Sequence, residues 1–212
     1  MNSSTFILAS TRLLAATLLA TGTASHAAEQ TFDFKDPKGV NNATFKLDAL
    51  LETITGSANG VSGTLTIDRE KPEATKGVIT IAAPSLHVEN SAMKEHMHGK
   101  DWIDSTTHPE IKFTVNSLSD FKMTGDTATA TVEGKFSLKG TEKTISVPAK
   151  VTLLPGMLGK RSNGKLEGDL MVVRTTFTIK RSDYGINPAA PTDKVADEIE
   201  VSLAIAGASP KK

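Results

Sequence analysis

Between Asn90 and Phe113 the chain reads NSAMKEHMHGKDWIDSTTHPEIKF, and its potentially reactive side chains are concentrated there. His96, His98, Asp101, Asp104 and His108 lie within thirteen positions, and imidazole with carboxylate is a ligand set that suits Zn or Cu. The same groups could do acid–base work, with His96 or Asp101 as the acting residue. Local geometry argues against a shared ion. Asn90 or Ser91 can cap a helix starting near Ala92, and Gly99 can end it in the left-handed conformation. On a helix, residues two apart point about 200° apart, so His96 and His98 diverge. No HExxH spacing, GxSxG, P-loop or GxGxxG is present, and with no cysteine a thiol nucleophile is excluded. We therefore expect hydrogen-bonded or solvated histidines, no metal, no cofactor and no catalytic residue.

The apolar members of the segment carry a different message. Met93 and Met97 are four apart and share a helix face, and Trp102, the only tryptophan, follows just beyond. A flexible, polarizable face beside an aromatic ring suits an irregular ligand. It equally suits a hydrophobic plug, and both readings stay open. Elsewhere, Arg181 in RSDYG is expected to pair with Asp101, Asp104 or Asp197 at a strand end, or else to touch a ligand. The segment from Pro155 to Asp169 reads as a long mobile hairpin loop whose Met157 and Leu158 are exposed and could gate a mouth.

Positioning these residues falls to strands. Apolar residues alternate with polar ones through nearly all of the chain after residue 28. Examples are Ile111, Phe113 and Val115; Val132, Gly134, Phe136 and Leu138; and Val173, Thr175, Phe177 and Ile179. One wet face and one dry face per strand is the antiparallel pattern. Eight or nine strands are expected, as a sandwich or a closed barrel. Long strand segments and dry faces built from small residues favour the barrel, with unfilled volume inside. Phe113, Phe136 and Phe177 are then the expected cavity-lining aromatics. One Trp and one Tyr cannot form the aromatic girdles of an outer-membrane barrel.

The first 27 residues look like a cleavable signal peptide. The apolar run from Leu13 to Ala24 follows Arg12, and Ser25 and Ala27 supply small residues for cleavage. The run is short of the ~20 residues a membrane span needs, and no cysteine is available for a lipid anchor. Removing 27 of the 212 residues leaves 185, one domain over 28–212, with 23 basic against 24 acidic side chains. A formal charge of −1 without a basic block gives no purchase on nucleic acid. The expectation is a periplasmic protein with no integral membrane segment.

Three stretches together resemble the YceI-like family of bacterial periplasmic lipid-binding proteins. They are EHMHGKDWIDSTTHPEIKF (95–113), VEGKFSLKGTEKTISVPAKV (132–151) and the pair TFTIKRSDYGIN and VADEIEVSLAI. His96, Asp101, Asp104, Pro109, Ile111 and Phe113 fit the first stretch; Arg181, Asp183, Gly185, Asp197 and Glu198 fit the last. Met97, Gly99, Trp102 and His108 depart from the family's pattern. The resemblance implies an all-β, extended lipocalin-like antiparallel barrel of about eight strands with a short helical insert. It also implies an elongated cavity for a polyisoprenoid or acyl chain, and homodimers are common among such proteins. The function expected is a non-enzymatic carrier or scavenger of a long-chain isoprenoid or quinone lipid. Met93, Met97, Trp102, Phe113, Phe136 and Phe177 would line the cavity, with His96 and Arg181 as polar contacts. The alternatives are an enzyme acting on such a lipid and a stress-induced structural or interaction protein with an incidental cavity.

Overall fold

The alternation becomes eleven antiparallel strands in the computed structural model, which describes residues 29–211. The signal peptide expected over residues 1–27 lies outside the described residues. Six strands are short: β1 (Gln30–Asp33), β2 (Asn42–Asp48), β3 (Thr53–Ala58), β4 (Val61–Ile67), β5 (Lys76–Ala82) and β6 (His87–Val88). Five follow: β7 (Glu110–Thr124), β8 (Thr127–Leu138), β9 (Thr141–Leu154), β10 (Gly168–Lys180) and β11 (Glu198–Pro210). β4 pairs with β1 and β5, while β3 pairs with β2 and β6. β11 pairs with both β1 and β2. Each successive pair of short strands is thus one interrupted stave. With β7 to β11 they make an eight-membered ring in chain order that closes on itself. Closure leaves no free sheet edge at β1 or β11. The fold is the all-β barrel expected.

The break between β1 and β2 is held by a residue that patterning does not flag. Asn41 is 2% exposed. Its amide nitrogen donates to the carbonyls of Phe34 and Ala206, both at 3.1 Å, and its oxygen accepts from the Ala206 N–H at 2.8 Å. A carboxamide offers the donor and acceptor of a peptide unit, so Asn41 continues the β11 ladder where the backbone leaves it. The loop before it is organised by Asp36, whose carboxylate accepts from the N–H groups of Lys38, Val40 and Asn41 and lies 3.3 Å from Arg161. Burial pushes the Asp36 carboxyl up, but those donors and Arg161 outweigh it, and its pKa falls below the usual 3.8. A depressed carboxylate adds stability above its unfolded pKa and loses it as pH drops through the folded value. Asp36→Ala should therefore melt a few degrees lower than wild type at neutral pH. The gap should close in acid, below about pH 3.8, in paired thermal melts.

One end of the barrel, where β8 and β10 finish, is covered by helix α1 (Ser91–His98), a 3₁₀ turn (Ser182–Tyr184) and the segment 185–197. Asn90 caps α1 as expected, accepting from the Met93 N–H at 3.0 Å. Gly99 does not end it in the left-handed conformation: its φ is −70° and ψ 166°. The chain goes straight into a second tight turn, with the N–H groups of Trp102 and Asp104 on the Gly99 carbonyl, and Asp104 takes the positive φ. The opposite end holds the β7–β8 hairpin turn and helix α2 (Leu158–Arg161). Here the expected exposed loop is corrected. Leu158 is 3% exposed, because the helical turn from Met157 to Ser162 directs it inward against β10 and β11.

Candidate ligand-binding cavity

Alternate residues of all eight staves point into one elongated apolar cavity of about 470 Å³. β8 shows why it exists: Ala128, Ala130, Val132, Phe136 and Leu138 face inward, and two of the five are alanine. Ala130 lies opposite Ala149 of β9, which also faces the cavity. Small residues side by side around a closed ring cannot fill its interior. From Ala128 to Leu138 the lining runs about 25 Å along the axis, at roughly 3.3 Å per residue and a tilt of about 40°.

All eight residues singled out from sequence border this cavity: Met93, His96, Met97, Trp102, Phe113, Phe136, Phe177 and Arg181. They gather toward the α1 end. Phe136 meets Phe177 edge-on at 5.9 Å and Tyr184 at 5.6 Å. Tyr184 is 2% exposed and anchors this cluster, and its burial, with Asp183 beside it, raises the phenol's pKa. Phe113 lies against Gly134, where an added Cβ would sit 2.5 Å from the ring. The cavity's middle and far end are built from residues that carried no separate signal, such as Val151, Leu203, Phe121 and Met123. Met157 and Leu158 do not border it.

The two helix histidines separate as expected. Both ring nitrogens of His98 are engaged, Nε2 with the Leu86 carbonyl at 2.9 Å and Nδ1 with Ser105 Oγ at 3.0 Å. A carbonyl only accepts, so Nε2 donates to Leu86, and the Ser105 hydroxyl holds Nδ1. His98 thereby ties α1 to the barrel, while His96 is exposed at the cavity's edge. His108 packs over Gly140 instead. Among the described residues no three His, Cys, Asp or Glu side chains stand close enough to hold a metal.

Arg181 corrects the expectation of a carboxylate partner. It is 1% exposed and forms no ion pair within reach of Asp101, Asp104 or Asp197. Its Nε donates to Ala196 O, its Nη1 to the carbonyls of Ile186 and Asn187, and its Nη2 to those of Ala190 and Val195. All five N–H donors are used. The guanidinium carbon also sits 5.8 Å from the Trp102 ring centre. Five carbonyls of segment 185–197 converge on one cation because that segment has no strand partner to satisfy them. Asp197 instead accepts from the Ser182 N–H and hydroxyl, and these hydrogen bonds lower its pKa against the effect of burial.

Residues 21–206 match the YceI-like domain family. The chain belongs to that family. A UPF0312 protein of Pseudomonas syringae pv. syringae is 30% identical over 144 residues, covering 68% of this chain and 69% of the relative. Two solved structures share the fold. Burkholderia cenocepacia BcnA superposes with a TM-score of 0.63 at 21% identity, covering 78% of this chain and 95% of that one. A domain from Saccharophagus degradans described as polyisoprenoid binding and implicated in plant cell wall breakdown gives 0.61 at 14% identity, covering 86% and 100%. At these identities the likeness is one of fold. Among the described residues no helix is long and apolar enough to cross a membrane.

Proposed function

We propose that this protein is a periplasmic carrier or scavenger that holds a long-chain isoprenoid or related lipid inside the barrel and does no chemistry on it. The observation that carries the reading is the continuous apolar cavity, surrounded by eight staves and lined from α1 to the β7–β8 hairpin. Each buried CH₂ contributes about 0.8 kcal/mol, so a long chain binds well with few polar contacts. Membership of the YceI-like family, and a polyisoprenoid-binding domain among the proteins of like fold, support the same ligand class. Met93, Met97, Trp102, Phe113, Phe136 and Phe177 contact the chain. His96 offers an imidazole to a polar end, and Arg181 contributes charge rather than a free donor. The leader is removed after Ala27, and the exported protein works in the periplasm.

Trp102 reports binding directly, because the only indole borders both the cavity and the Arg181 cation. Adding a long-chain isoprenoid quinone to delipidated protein should change its fluorescence saturably. Met97→Lys should weaken the same titration at least tenfold, since the ammonium must be desolvated or α1 pushed aside. Equal melting temperatures establish that the variant is folded. Binding with no spectral change, together with wild-type affinity in Met97→Lys, would make the α1 region a plug rather than part of the site.

A further inference from the structure

One polar group on the cavity wall has no role in the fold. β9 and β10 pair only from Leu154↔Leu170 to Lys150↔Arg174. Toward α1 they run on without pairing to each other, while each stays paired on its other side. Pro148, which has no N–H to offer, lies in this unpaired stretch of β9. Thr175 is the first β10 residue past the last pair, at mid-barrel, and it borders the cavity between Val173 and Phe177. Its Oγ1 is buried without a hydrogen-bond partner, the only such side-chain oxygen or nitrogen among the described residues. Among those residues three cross-strand hydroxyl pairs do form, Thr31 with Thr66, Thr127 with Thr152 and Thr176 with Ser202. A valine would fill the same outline without the penalty of an unmet hydroxyl.

We propose that Thr175 is a specificity-determining contact. It donates a hydrogen bond to a carbonyl oxygen carried at mid-depth by the bound molecule, so the cavity prefers oxygen-bearing long-chain lipids to hydrocarbons of equal length. The proposal rests on the lipid-binding reading above. Oγ1 is turned away from the cavity that Thr175 borders. One step about χ1 carries it into the place of the γ-methyl, and so toward the bound molecule, while the methyl moves to the position of Hβ. There the surroundings are apolar, and a ligand carbonyl meets no competing donor among Val173, Val151, Ala149 and Phe177. His96 and Arg181 lie toward the α1 end and cannot serve the same depth.

The test compares a long-chain ketone, its carbonyl at mid-chain, with the alkane of the same length, each displacing a fluorescent lipid from the cavity. Wild type should prefer the ketone about fivefold, the factor for one net hydrogen bond. Thr175→Val should bind both equally and melt at the same or a higher temperature. Thr175→Ser, which keeps the hydroxyl, should keep the preference. Equal affinity in wild type, or a preference that survives in Thr175→Val, overturns the proposal. Failure of the fluorescent lipid itself to bind wild type overturns the carrier reading, and the selectivity with it.

Discussion

Arg181→Met is expected to lower the thermal midpoint by about 10 °C, the largest effect of any single substitution considered. The guanidinium is 1% exposed and its five donors hold carbonyls of residues 186–196. Methionine fills much of the volume but leaves those acceptors unmet in a place water does not reach. Each buried acceptor left unmet costs about 1–3 kcal/mol, and with several left unmet at once a loss of about 3–5 kcal/mol is expected. At about 2–4 °C per kcal/mol for a domain of this size, that loss is easily read by calorimetry. Arg181→Lys, with three donors on one nitrogen, should fall between the two, because the planar fork and its contact with Trp102 are not reproduced. A midpoint within two degrees or so of wild type would mean that segment 185–197 is held by other contacts.

Ala130→Trp should reduce affinity for a long-chain lipid by at least tenfold while leaving the midpoint nearly unchanged. Ala130 and Ala149 are opposite one another on β8 and β9, and both face the cavity. An indole at residue 130 enters space that a ligand chain needs. Overpacking a filled core costs about 1–3 kcal/mol, whereas here the added ring replaces cavity volume. Short chains that reach only one half of the barrel should still bind. The comparison is made by displacement titration across a series of chain lengths. Unchanged affinity for the longest chain would place the ligand elsewhere.

Much of this architecture was legible in the residues. Period-2 alternation identified the strands of β7, β8, β10 and β11, because one face of each meets an apolar interior and the other meets water. The interrupted staves were harder. The link between β1 and β2 runs through the side-chain amide of Asn41, which no hydrophobic pattern announces. Met93, Met97 and Trp102 were located by rarity and helical spacing, and the geometry brings all three to the cavity. Arg181 was singled out for the wrong partner. Asp101, Asp104 and Asp197 were the expected partners in an ion pair, yet backbone carbonyls of an irregular segment had the greater need of donors. Leu158 looked exposed because Gly and Lys surround it, and only the turn of α2 reveals that it faces the core. The unpaired Thr175 hydroxyl was invisible, since it depends on where β9 and β10 part company.

The central claim is that the barrel holds a lipid. Native mass spectrometry of the protein purified without organic solvent from the periplasm of its own host tests it most directly. The account predicts a chain beginning at Ala28 that carries a single long-chain isoprenoid or related lipid, released intact by solvent extraction and regained on incubation with that lipid in vesicles. A bare polypeptide mass that remains bare after such incubation would contradict it.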